Sequence, residues 1–194
     1  MKIRMFVGSV VVGALVSNVS VTASAADGGD YVGVKSCKMC HKKDDGGNQF
    51  GKWEATSHAK AFEVLGTPKA KEAGAKAGVA DPQQSGKCLQ CHSTAYDFTE
   101  TKQTDTIPVE EGVSCESCHG AGKNYKSKEM MKNREECVKN GMIYPANKNC
   151  TKCHNEKSPS WNPEKYTTKD GKKVGFDPEQ AYEKIKHPDP LVKK

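Results

Sequence analysis

The pattern Cys-x-x-Cys-His occurs four times in this chain: Cys37-Lys-Met-Cys40-His41, Cys88-Leu-Gln-Cys91-His92, Cys115-Glu-Ser-Cys118-His119 and Cys150-Thr-Lys-Cys153-His154. It uses all but one of the 9 cysteines and all but two of the 6 histidines. A shuffled chain of this composition would hold about 0.01 such matches. Two thiols at this spacing can add to the two vinyl groups of one porphyrin, and the following histidine then supplies an imidazole to the iron. Disulfides and zinc sites also use paired cysteines, but neither explains a histidine after every pair. Four covalently bound haem c groups are therefore the expected cofactors, with His41, His92, His119 and His154 as proximal ligands. Numbered in chain order, these are haems 1 to 4.

The amino end fits that chemistry. Lys2 and Arg4 precede an apolar run from Met5 to Val16, and Ala23-Ser24-Ala25 reads as a cleavage site for exported chains. The run is too short to span a bilayer comfortably. The expected organisation is a cleaved signal peptide over residues 1–25 and one tetrahaem cytochrome domain over 26–194, with no membrane anchor. Export places the chain in the periplasm, where bacteria attach haem.

Only 35% of the chain is apolar, leader included, so a core made of protein alone would be thin. The expected fold class is mainly α. Helices and long loops wrap four macrocycles that supply the core, with little or no β. The formal charge of +6 falls to +4 without Lys2 and Arg4. Two propionates on each haem would reverse its sign. The lysines thus suit steering of redox partner proteins, and no pattern for binding nucleic acid is present.

Between the motifs, Gln49 to Leu65 has helical spacing with His58 on the apolar face. Lys69 to Val79 reads as a mobile connection, Tyr96 to Val109 as a short hairpin, and Met130 to Val138 as a helix. Gly120 and Gly122 suggest close approach of backbone to a macrocycle. Cys137, the odd cysteine, reads as a buried inert thiol rather than the site of a covalent dimer. Asp177-Pro178-Glu179-Gln180 opens a last helix that ends at His187, before Pro188.

Axial ligands are then counted. Four irons offer eight axial positions, and the chain has 6 histidines. His58 and His187 are the candidate distal ligands. The remaining positions fall to a methionine, with Met130 and Met131 as candidates, or stay open to water or a substrate.

Taken together, the chain resembles the cytochrome c-554 family of tetrahaem cytochromes. The resemblance rests on Trp53-Glu-Ala-Thr-Ser57-His58-Ala59, Lys87-Cys88-Leu-Gln-Cys91-His92, Glu111-Gly112-Val113-Ser-Cys115-Glu116-Ser-Cys118-His119-Gly120-Ala-Gly122, and Phe176-Asp177 before a helix closing on His187. It implies closely packed haems forming an electron path. It also implies that His58 serves haem 3, that His187 serves haem 4, and that the iron on His92 is five-coordinate. The family's distal histidine for haem 1, shortly after the third motif, has no counterpart here. Glu129, Met130 and Met131 occupy that neighbourhood.

The leading functional reading is a periplasmic electron carrier. The second is an oxidoreductase acting on a small nitrogen or oxygen species at the open haem, with a ligand such as nitric oxide on the His92 iron. The third is a subunit of a larger multihaem assembly. No catalytic acid–base constellation is read from the sequence.

Overall fold

The computed structural model describes residues 30–191. The leader reading over residues 1–25 lies outside them. Among the described residues, nine short helices follow in chain order: α1 (Val34–His41), α2 (Gln49–Glu54), α3 (Ala61–Val64), α4 (Pro68–Lys76), α5 (Gly86–His92), α6 (Cys115–His119), α7 (Arg134–Lys139), α8 (Cys150–Cys153) and α9 (Pro178–Ile185). One antiparallel ladder pairs β1 (Tyr166–Thr167) with β2 (Lys173–Val174). The protein is thus mainly helical with very little sheet.

Helices this short are not stable alone, because nucleation costs more than a few hydrogen bonds return. They must be held by what packs on them, yet the described protein buries few apolar side chains. These include Phe50, Leu65, Val79, Leu89, Ile107 and Tyr125.

Several local expectations change. The helix expected over Gln49–Leu65 is two pieces, α2 and α3, joined by a turn that carries His58. The Thr56 hydroxyl donates to the carbonyl of Trp53 at 2.7 Å, offering the backbone an alternative to the helix. The stretch read as a mobile connection is α4. Its Thr67 side chain caps the Ala70 N–H at 3.2 Å with Pro68 in the first turn, a start signal the sequence reading passed over.

The hairpin expected over Tyr96–Val109 reduces to one bridge, Tyr96 to Lys102. There the Asp97 carboxylate accepts from the Thr99 amide and hydroxyl and so forms a local turn. The ladder that does form lies in the tail. The segment around Met130 is a single 3₁₀ turn, Met130–Lys132, and α7 starts after an Asn133 cap. The last helix opens as expected, with the Asp177 carboxylate accepting from the Gln180 N–H at 3.0 Å. It ends at Ile185, before His187.

Candidate functional site

Each Cys-x-x-Cys-His motif closes a short helix. His41, His92 and His119 are the last residues of α1, α5 and α6, and His154 caps α8. One helical turn brings both thiols to one face, and the histidine follows as the helix ends.

The four attachment sites form a row. The Cys37 thiol of α1 neighbours the Cys115 thiol of α6, which lowers its pKa. Cys118 of α6 lies close enough to Cys150 of α8 that the neighbouring charge, after burial, helps hold its thiol up at about 11. The Cys153 thiol of α8 neighbours Cys91 of α5, which together with burial raises its pKa. The spatial order of the motifs is therefore first, third, fourth, second, which is not the order along the chain.

Two pairs of histidines face one another. The rings of His58 and His154 lie 5.9 Å apart between centroids, and those of His119 and His187 lie 5.9 Å apart. Two imidazoles bound on opposite sides of one metal, each about 2 Å from it, place their centroids about 6 Å apart. The structure thus reverses the pairing that the resemblance implied: His58 faces the motif of haem 4 and His187 that of haem 3. The reason lies in chain geometry. The α2–α3 turn is docked on the approach to the third motif, which aims His58 past that motif towards α8. The segment after α9 is tied to the other side by Asp189, which binds Arg134 at 2.5 Å and Tyr144 at 3.2 Å.

Three of these rings are held neutral. Burial lowers the His58 pKa. Burial and the neighbouring His58 lower that of His154. Burial, with His187 and His41 nearby, lowers His119 to about 4. A neutral imidazole is the form that can give a nitrogen lone pair to iron. The buried His119 Nδ1 has no hydrogen-bond partner among the described residues. His92 Nδ1 donates to the Ala61 carbonyl at 2.7 Å, which leaves its Nε2 bare. Phe176 stacks on His154 with centroids 4.8 Å apart and planes 3° from parallel, setting the orientation of that ring.

The residues between the ligands explain the longer motifs. Gly112 adopts φ +70°, and a Cβ there would meet the carbonyl oxygens of His58 at 2.9 Å and Ala59 at 3.0 Å. Val113 N–H donates to the His58 carbonyl at 3.0 Å, and the Trp53 indole donates to the Val113 carbonyl at 2.8 Å. This contact fixes the turn carrying His58.

The Glu116 side chain is buried inside the third motif. Its carboxylate accepts from the amides of Val32 at 3.0 Å, Gly33 at 2.9 Å and Gly122 at 2.6 Å, so it clamps the start of α1 to α6. Glu111 adds an acceptor for Val34 N–H at 3.0 Å. The sequence reading quoted Glu116 without a role. A carboxylate between two cysteines of a buried motif, beside Gly122, was the available signal.

The tightness at Gly120 and Gly122 is also against protein. A Cβ on Gly120 would meet the Gly141 carbonyl at 2.9 Å, and one on Gly122 the Glu116 carboxylate and Val32 at 3.1 Å each.

Met130 and Met131 lie half-buried in their 3₁₀ turn. The Met130 sulfur sits 3.8 Å from the Asn140 amide, and its carbonyl accepts from the Cys137 thiol at 3.2 Å. Cys137 is buried, as expected for an inert thiol.

The comparisons with known proteins bear on family and fold. The family model described as "Cytochrome c554 and c-prime" matches residues 36–120. Cytochrome c-554 of Nitrosomonas europaea is 31% identical over 169 residues, covering 79% of this chain and 69% of that protein. The chain belongs to the cytochrome c-554 family. The solved structure of reduced cytochrome c554 from the same organism superposes with a TM-score of 0.51 at 29% identity, covering 81% of this chain and 79% of that one.

The family's cofactor is covalently attached c-type haem. The residues found here fit it: thiol pairs on helix faces, a histidine closing each, and two pairs of facing imidazoles at the separation that one iron requires. Haem supplies the redox-active iron, and electron transfer makes redox partner proteins part of the function. Among the described residues, no helix is long and apolar enough to cross a membrane.

Proposed function

We propose that this chain is an exported, periplasmic tetrahaem cytochrome that conducts electrons along its haems in the spatial order 1, 3, 4, 2. The observation that carries the reading is the row of neighbouring attachment thiols, Cys37 with Cys115, Cys118 with Cys150, and Cys153 with Cys91. His154 and His58 ligate the iron of haem 4, and His119 and His187 that of haem 3. Six-coordinate bis-histidine irons sit in the middle, where electrons pass through and nothing else need bind. Haems 1 and 2 form the ends, each with one histidine, His41 and His92. Redox partners meet the protein at those ends. Cleavage of residues 1–25 accompanies export and places the cysteines where haem is attached.

A second reading, a small nitrogen or oxygen species turning over at an end haem, is favoured by the ligand count. With four of the 6 histidines in facing pairs, none remains for a second position at either end iron. Met130 or Met131 is the candidate for the iron on His41.

Low-temperature electron paramagnetic resonance of the oxidised protein tests these assignments. Two bis-imidazole signals are expected, and His58→Ala and His187→Ala should each abolish a different one. A double variant that loses only one signal would sink the two-pair assignment. Nitric oxide added after reduction should bind at an end iron and leave both bis-imidazole sites alone.

A further inference from the structure

We infer that Gln49 is a positioning residue that joins the axial ligands of two different haems. The inference rests on the proposed roles of His41 at haem 1 and His187 at haem 3. Gln49 is 9% exposed and opens α2. Its Nε2 lies 2.6 Å from the Gly46 carbonyl and 3.0 Å from the Pro188 carbonyl. Both oxygens can only accept, so the amide orientation is fixed. Oε1 then faces His41 Nδ1 at 3.2 Å, and that ring nitrogen must carry the proton. His187 Nδ1 lies 3.2 Å from the same Pro188 carbonyl and must also be the donor.

One hydrogen-bonded chain results. His41 Nδ1–H donates to Gln49 Oε1, Gln49 Nε2–H donates to the Pro188 carbonyl, and His187 Nδ1–H donates to that same oxygen. Both rings keep Nε2 bare for iron. The turn before α2 is shaped for this approach. Gly47 has φ +96°, and a Cβ there would meet the Pro188 Cβ at 2.8 Å.

An acceptor on Nδ1–H makes an imidazole more electron-rich and so favours ferric iron. Oxidation at His41 makes its N–H a stronger donor. The Gln49 amide is then polarised and its own N–H binds the Pro188 oxygen more strongly, because linked hydrogen bonds reinforce one another. That oxygen is drawn away from His187. The potentials of haems 1 and 3 are thereby linked through one side chain.

The test is a potentiometric titration of the full holoprotein, with each haem resolved by electron paramagnetic resonance, in Gln49→Leu and Gln49→Glu. Haem content is counted in parallel. Gln49→Leu removes the acceptor and should favour ferrous iron at haem 1 by about tenfold, an upward shift of about 59 mV for one electron. Gln49→Glu supplies a stronger acceptor and should move the same potential down. Both variants lose the donor to Pro188, so the haem 3 signal should change in each.

Opposite signs at haem 1 are not what loosened packing would produce. Shifts of the same sign, or none with all four haems present, overturn the inference. Should Gln49→Leu fail to take up its haems, Gln49→Glu decides alone: a lower haem 1 potential supports the link, and an unchanged or higher one refutes it. His187→Ala separates the two layers. If it leaves both bis-imidazole signals intact, the ligand assignment fails, whatever Gln49 does.

Discussion

Glu116 carries more of the structure than its place between two cysteines suggests. Its buried carboxylate satisfies amides from Val32, Gly33 and Gly122, and bonds to a charged acceptor are stronger than neutral ones. Gln in its place would turn an N–H₂ towards amides that can only donate. Glu116→Gln should therefore cost about 2 kcal/mol, read as a lower urea midpoint with an unchanged slope. A midpoint equal to that of the parent would mean water serves those amides equally well. The four Cys-x-x-Cys-His motifs were legible at this level because thioether attachment demands one fixed spacing. Glu116 and Gln49 were not, because their partners are backbone groups far away in sequence, Val32 for one and Pro188 for the other.

Between the elements, the decisive joint is the one where the Gly112–Val113 segment meets the turn between α2 and α3. Gly112→Ala places a methyl against two carbonyl oxygens in a backbone region that only glycine adopts readily. It should cost about 1–3 kcal/mol and convert one bis-imidazole haem to high spin by displacing His58. Gly78→Ala is the matched comparison: φ is +70°, but nothing lies within 4 Å, and the haem spectrum should not change. If the two variants behave alike, the joint does not position His58.

The tail helix was readable from its own cap residues, and the apolar spacing of Gln49–Leu65 did mark helix. The break at His58 was not readable, since the bond that holds it comes from Val113. For the same reason the pairing of His58 with His154 could not be read from order along the chain.

For the molecule as a whole, the thin apolar core implies that haem is part of the folded state. Chain produced in a host that attaches no haem should show little helix by circular dichroism, and a cooperative melt in that material would contradict this. The attachment word repeats four times, which invites a picture of four interchangeable modules. The facing histidines rule that picture out. His58 reaches to His154 across 119, and His119 reaches to His187 across 154, so the two links cross. A break in the backbone anywhere between residues 58 and 187 opens at least one link, and a break between 119 and 154 opens both. No fragment carrying a single motif can therefore hold a facing pair together with its own cysteines. Neither facing pair can be completed by inheritance of a single motif, and the segment from His58 to His187 forms one interlocked unit.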